Sequence, residues 1–189
     1  MMEPTDLHLY DFDGTLFRSP VPPPGWGDKS LWFATPESLG PPCVPVHPPV
    51  TWWIPSTIQS AKRSIRDKDV YTILATGRKE NVFRDRIDEL LKSKGLDFDE
   101  VHLKPHGRTM DHKAELLLNA IEANPSIEMV EIWEDREPHM AHFRTFVRSL
   151  GVGVKIHPVK FAPMPARCAI PSPSRVASLY RAGWPSRAM

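Results

Sequence analysis

The chain has 189 residues, enough for one α/β domain with a full core and too few for two large ones. Its 24 basic and 23 acidic side chains leave a net charge of +1, so overall charge marks out neither a nucleic-acid binder nor a membrane-surface protein. No apolar run is long enough to span a membrane, no secretory pattern opens the chain, and two cysteines, Cys43 and Cys168, spell no disulfide framework; these features suit an intracellular, reducing setting.

Leu7-His8-Leu9-Tyr10 reads as a short buried strand, and it runs into Asp11-Phe12-Asp13-Gly14-Thr15-Leu16-Phe17. Two carboxylates therefore sit where a strand gives way to a loop, the end at which open parallel sheets bind ligands. Spaced two apart on extended backbone, Asp11 and Asp13 point to the same side. Gly14 permits a tight turn, and Thr15 offers a hydroxyl or its backbone N–H to an anion. Carboxylates this close repel one another, so the cluster is expected to hold a cation. The chemistry these residues suit is phosphoryl transfer. Asp11 attacks phosphorus to form an aspartyl-phosphate; Asp13 protonates the leaving oxygen and then activates water. Two unit charges about 4 Å apart interact by about 4 kcal/mol at an effective dielectric of about 20. A carboxylate approaching a doubly charged phosphate meets about twice that, so the mechanism needs magnesium and a lysine. A helix or turn cap is the ordinary alternative for the same residues.

Residues 18–56 form an insertion rich in proline and tryptophan. Eleven of the 21 prolines lie between Pro20 and Pro55, which excludes long regular helix or central strand there. Trp26, Trp32, Phe33, Trp52 and Trp53 make it expected to fold against the domain. Trp26, Trp32 and Trp52 are candidate surfaces for stacking on bases, although packing is the commoner fate of aromatics in a short insertion.

Beyond the insertion, residues 57–66 read as a helix and Val70–Ala75 as a strand. Residues 80–94 carry Val82, Phe83, Ile87, Leu90 and Leu91 at helical spacing, stopped by Gly95. Val101–Leu103 is a short strand, 110–123 a helix, Met129–Trp133 a strand, 137–149 a helix and Gly153–Ile156 a last strand. Alternating strands and helices predict an α/β, doubly wound parallel sheet over residues 1–157. Residues 158–189 form a basic, proline-rich tail, expected to be disordered beyond about Phe161.

Two more strand ends carry chemistry. Ala75-Thr76-Gly77-Arg78 offers a hydroxyl and a backbone N–H to a phosphate, or is a plain strand-to-helix turn. Trp133-Glu134-Asp135-Arg136 places an acidic pair at another strand end, a candidate metal site. With strand order 3-2-1-4-5, Thr76, Asp11, Asp13 and Asp135 converge on one crevice. Arg78 and Arg136 are candidates to grip a second phosphate, though surface salt bridges are commoner for such residues.

Together, Asp11-Phe12-Asp13-Gly14-Thr15, Thr76-Gly77-Arg78, a lysine and Glu134-Asp135 resemble the four motifs of the haloacid dehalogenase (HAD) superfamily of phosphohydrolases, over roughly residues 7–157. More narrowly, Leu103-Lys104-Pro105, the helix carrying Lys113, Trp133-Glu134-Asp135-Arg136 followed by His139, and the insertion ending in Trp52-Trp53 resemble the HAD domain of Swiss Army Knife RNA-repair-like proteins. The resemblance implies that Asp11 is nucleophile and magnesium ligand, and that Asp13 is acid and base with its backbone carbonyl on the metal. It implies that Thr76 is the phosphate-binding hydroxyl, with Thr15, Gly77 and Arg78 on the substrate side. Asp135 is the acid of the fourth motif and is favoured as metal ligand over Glu134, whose place before it departs from the usual pattern. The lysine has two candidates, Lys113 and Lys104; spacing to Asp135 favours Lys113. His139 and His142 are read as structural or substrate-side.

The branch resemblance implies magnesium-dependent phosphatase action on nucleic-acid ends, RNA above all, by association rather than by chemistry. A small-metabolite phosphatase is the first alternative. The second is a non-catalytic binding module that uses its proline-rich segments to recruit a partner. No membrane association is expected, and the sequence carries no signal for oligomeric state.

Overall fold

A computed structural model describes residues 3–24, 26 and 29–164. The expected disorder of the distal tail, and Cys168, lie outside the described residues. The elements are β1 (Asp6–Tyr10), α1 (Lys29–Trp32), α2 (Pro55–Arg66), β2 (Val70–Lys79), α3 (Glu80–Lys94), β3 (Glu100–Lys104), α4 (Thr109–Ala123), β4 (Met129–Glu134), α5 (Glu137–Ser149) and β5 (Gly153–Pro158). All five strands are parallel and lie in the order β3-β2-β1-β4-β5, the predicted topology.

The alternation of side chains sorts the core into two layers. Leu7 and Leu9 of β1, Ile73 and Ala75 of β2, and Val130 and Ile132 of β4 point to one face, where they meet Leu117 and Ala120 of α4 and Phe143 and Val147 of α5. Tyr10, Leu74 and Trp133 point to the other, against Ala61 of α2 and Phe83, Ile87 and Leu90 of α3. Leu7 and Leu9 are fully buried, and burying a leucine contributes about 2 kcal/mol. A one-residue slip of β1 would turn both to the wrong face, so the leucines fix the register. That register sets Tyr10 opposite Leu74 on β2 and Trp133 on β4. Asp11, the next residue, therefore emerges between the ends of β2 and β4.

The insertion folds onto the domain as expected. Phe17 stacks on Trp52 at 5.6 Å and meets Trp53 edge-on at 5.0 Å. Trp32 is fully buried, its indole N–H donating to the Pro20 carbonyl at 2.7 Å. Arg86 of α3 donates to the carbonyls of Leu39, Pro45 and Val46 at 2.8–3.0 Å, tying three points of the insertion to one helix. Cys43 packs with Trp26 and Trp32 and is disulfide-bonded, contrary to the reading of the cysteine count.

The chain does not leave the domain at residue 157. The Val159 N–H donates to the Glu134 carbonyl at 2.9 Å, and Val159 and Met164 pack against the α2–α3 side of the core. Residues 159–164 thus form a strap at the same end of the sheet as Asp11. No described helix is long and apolar enough to cross a membrane.

Candidate active site

Asp11 follows the last residue of the central strand and is 2 % exposed, its N–H donating to the Trp133 carbonyl at 3.1 Å. Lys113, on the second turn of α4, is fully buried and places its ammonium 2.7 Å from Asp11 Oδ1 and 2.9 Å from Glu134 Oε2. Lys113 thus reaches the carboxylate, whereas Lys104, at the end of β3, lines the cavity in front of it. The two flanking carboxylates keep the Lys113 ammonium charged despite its burial, which acts the other way.

Glu134 and Asp135 are adjacent in sequence and opposite in circumstance. Glu134 Oε2 accepts from Lys113 and from His139 Nδ1 at 3.2 Å, and Oε1 accepts the backbone N–H groups of Asp135 and Arg136 at 3.3 and 3.2 Å. All four lone-pair sites of that carboxylate are engaged. These partners hold Glu134 ionised, well below the usual carboxylate range, against the pull of burial. Asp135 has no such company: its Oδ1 is buried with no hydrogen-bond partner among the described residues. Burial first, then the negative charge of Asp11, pushes its carboxyl up to about 8. Burial likewise raises Asp11 to about 6, Lys113 opposing.

Ligand oxygens of Asp11, Glu134 and Asp135 lie within 4.8 Å of one another. With Glu134 saturated, the less engaged carboxylates are Asp11, whose Oδ2 meets the Thr15 hydroxyl at 3.5 Å, and Asp135. Two mutually repelling acids and one orphaned buried oxygen fit a small hard divalent cation.

Asp13 is held by cations instead. Arg78 Nε reaches Asp13 Oδ2 at 2.9 Å and Nη2 reaches Oδ1 at 2.7 Å; Ser19 Oγ donates to Oδ1 at 2.5 Å. This fork keeps the Asp13 carboxyl below its usual value although burial pushes it up. Arg78 is 1 % exposed, so it is no surface salt bridge. Its Nη1 donates to the Phe33 carbonyl at 3.1 Å and to Ser38 Oγ, and its guanidinium lies over the rings of Phe33 and Phe83 at 5.0 and 4.8 Å. One side chain thus joins β2, the insertion and Asp13.

The two threonines sit behind this layer. Thr15 Oγ1 is 3.5 Å from Asp11 Oδ2, and Thr76 Oγ1 is 3.5 Å from Asp13 Oδ2 while accepting the Arg78 N–H at 3.2 Å. His139 supports Glu134, and His142 packs instead on Phe143 and Phe146 at 5.6 and 6.1 Å.

Two glycines keep the entrance clear. Gly14 has φ +74°, and a Cβ there would meet Asp135 Oδ2 and lie 2.5 Å from the Phe161 ring. At Gly77 a Cβ would come within 2.8 Å of Thr109 Oγ1 on α4. In front of the carboxylates lies a cavity of about 380 Å3, within the range of small-molecule sites. Its walls come from the sheet ends, from Val21, Phe33 and Ala34 of the insertion, and from Phe161 and Pro163 of the strap.

Of the two readings of the insertion's tryptophans, packing is the one observed. Trp26, Trp32 and Trp52 are 5 %, 0 % and 7 % exposed and serve as packing, so none offers a face to a base. Phe33, 39 % exposed, lines the cavity instead. Nothing in the sequence placed Ser19, Phe33, Ser38 and Phe161 at the site, since each reaches it through the path of an irregular segment. Lys79 sits directly after Thr76-Gly77-Arg78 and was legible from that position.

Comparison with known proteins bears on the family and the fold. The profile of HAD domain family 1 in Swiss Army Knife RNA repair proteins matches residues 27–170. The loop 11–15 precedes the matched range and rests on its own geometry. The Saccharomyces cerevisiae protein YMR265C is 27 % identical, over 77 % of this chain and 38 % of its own length. The chain therefore spans about two-fifths of that relative. Among solved structures, the HAD domain of the Legionella pneumophila effector Lem4, as an inactive mutant, superposes with a TM-score of 0.55 at 12 % identity, covering 95 % of this chain and 92 % of that one. A chain of the Pnkp1/Rnl/Hen1 RNA repair complex gives 0.53 at 17 % identity, over 85 % of this chain and 44 % of that one. At these identities the superpositions show a shared fold, while the family match covers most of the chain: it belongs to HAD domain family 1 of the Swiss Army Knife RNA repair proteins.

Proposed function

We propose that this domain is a magnesium-dependent phosphomonoesterase that forms an aspartyl-phosphate at Asp11 and acts on terminal phosphates of nucleic acids, RNA ends above all. The observation that carries the reading is the contact of Lys113 with Asp11 at 2.7 Å, inside an acidic cluster whose Asp135 keeps a buried oxygen without a hydrogen bond among the described residues. That combination has little structural purpose, because a repelling pair of buried acids weakens the fold that contains it. It has a clear chemical one.

Asp11 and Asp135 would hold the magnesium ion, which when bound offsets their repulsion and polarises the phosphoryl group. Lys113 aims Asp11 and neutralises part of the charge that the incoming phosphate meets. A bond forms between Asp11 and phosphorus as the bond to the leaving oxygen breaks, and Asp13 gives that oxygen its proton. Water then gives a proton to Asp13, attacks phosphorus and frees Asp11 with release of phosphate. The fork from Arg78 keeps Asp13 ionised, so it must loosen before Asp13 can act as the acid. Support for nucleic-acid ends comes from the family and from a cavity rimmed by lysines and an exposed phenylalanine.

The test is hydrolysis of an aryl phosphate, of 3′- and 5′-phosphorylated oligonucleotides and of a metabolite panel, with and without magnesium. Magnesium-dependent release from oligonucleotide ends is the expected result. A metabolite turned over a hundred-fold better would move the substrate class and keep the chemistry. The occupied carboxylate of Asp13 favours one rival, a non-catalytic binding module; absence of turnover on every ester would select it.

A further inference from the structure

Two cations at the cavity form no ion pair among the described residues. Lys79 and Lys104 are register partners where β2 and β3 end, and both side chains line the cavity. Adjacent parallel strands lie about 5 Å apart, so two like charges are set side by side. Neither lysine has a carboxylate within ion-pair distance among the described residues. The neighbouring cations are all engaged: Lys113 with Asp11 and Glu134, Arg78 with Asp13, and Arg136 with Glu134 and Asp135. The Thr109 hydroxyl, at the start of α4, lines the same side of the cavity.

The cavity is thus divided by charge. Asp11 and Asp135 stand on the β1–β4 side, and the unpaired lysines stand on the β2–β3 side. Phe33 of the insertion and Phe161 of the strap supply aromatic wall. A compound with a single phosphate on Asp11 would leave the lysines without an anion. A volume of about 380 Å3 admits more than one phosphate group.

We propose that Lys79 and Lys104 form a second anion subsite, so that the preferred substrate carries another phosphate one nucleotide from the phosphate removed, with the nucleoside against Phe33 and Phe161. The substrate class is then a nucleic-acid end presented together with its neighbouring phosphodiester, and a nucleoside 3′,5′-bisphosphate is its smallest mimic. This deepens the phosphatase reading and rests on it for the fate of the terminal phosphate, but the subsite is a matter of binding and is measured as such.

The experiment is calorimetric titration of the full chain with adenosine 3′,5′-bisphosphate and with adenosine 3′-monophosphate, in chelator so that no turnover intervenes. The bisphosphate is expected to bind at least ten-fold tighter. Lys79→Gln and Lys104→Gln should each bring that ratio towards one, and Lys79→Arg should retain it. Thermal melts confirm that each variant is folded. Equal affinities in the wild type, no measurable bisphosphate binding, or a ratio untouched by both glutamine variants would overturn the proposal. If selective binding is found but no ester is hydrolysed with magnesium restored, the phosphatase reading fails and the subsite stands.

Discussion

Arg78 and Asp13 form a closed pair: guanidinium nitrogens meet both carboxylate oxygens at 2.7–3.1 Å from a side chain that is 1 % exposed. The same guanidinium holds Phe33 and Ser38, so the insertion and the candidate acid share one anchor. Removing one partner of a buried pair strands the other charge, at a cost of about 3 kcal/mol. Arg78→Ala should therefore lower the free energy of unfolding in urea by about that much. The double variant Arg78→Ala/Asp13→Asn should recover part of the loss, because no charge is left alone. Equal losses in the single and double variants would show that the pair is not coupled.

Asp11→Asn keeps the shape of the candidate nucleophile and removes its charge. Turnover of an aryl phosphate should fall to background, since phosphate monoesters hydrolyse extremely slowly unaided. The metal-free variant should still fold, because relief of the repulsion with Asp135 offsets part of what Lys113 loses with one of its two partners. Retention of more than about a tenth of the wild-type rate, on a scale where one decade is 1.4 kcal/mol, sinks the assignment.

Lys113 and Lys104 separate by kinetic constant. Lys113→Met removes the charge beside Asp11 and should reduce kcat by about a hundred-fold or more. Lys104→Gln should act on KM for a bisphosphate. A large kcat loss in the Lys104 variant with a normal Lys113 variant would reverse the two roles.

Asp135→Ala should raise the magnesium concentration needed for half-maximal rate, because Asp135 has the spare oxygen. Glu134→Ala should show itself first as lost stability, since it leaves Lys113 with one partner fewer. Metal titrations of both variants, read beside their melting temperatures, decide the order; the opposite ranking makes Glu134 the ligand.

The raised carboxyls give the metal-free protein a pH signature. Asp11 and Asp135 keep their protons to about 6 and about 8 when folded, against an ordinary value of 3.8. Their contribution to stability is whole below that ordinary value and is lost as pH rises through the folded values. Asp13 and Glu134, held low, stay ionised over this range and add no slope. His8 and His112, which burial keeps neutral, favour the fold as pH rises through about 6.5. Between pH 7 and 8 the acids dominate, so the melting temperature in chelator should fall, and Asp135→Asn should flatten the fall. Magnesium should raise the melting temperature more at pH 8 than at pH 5. A wild-type slope matching that of Asp135→Asn removes the basis for a metal site at Asp135.

The sheet and the acidic cluster were legible because both follow from regular backbone. Apolar alternation in β1 fixed which way Leu7 and Leu9 face, and strand order brought Asp11, Thr76 and Glu134-Asp135 to one edge. The helical spacing that puts Leu117 in the core also turns Lys113 inward, four residues earlier on the same face. The contacts of Ser19, Phe33, Ser38 and Phe161 were not legible, because irregular chain has no period from which to place a side chain. The tryptophans took the commoner of their two readings, packing; an aromatic residue suits a core and a base alike, and only the path of the insertion decides between them. Arg78 looked like a surface cation because nothing local to β2 shows that Phe33 and Ser38 come to cover it.

The strap has a practical consequence for anyone who handles this protein. β1, the central strand, starts at the end of the sheet opposite the carboxylates, whereas Phe161 and Pro163 of the strap line the cavity, Phe161 against Gly14. A fluorophore or surface tether attached at Phe161 or Pro163 would stand in the cavity wall and compete with whatever enters. The same attachment ahead of Asp6 lies a full strand length away, and is the end from which to immobilise the molecule.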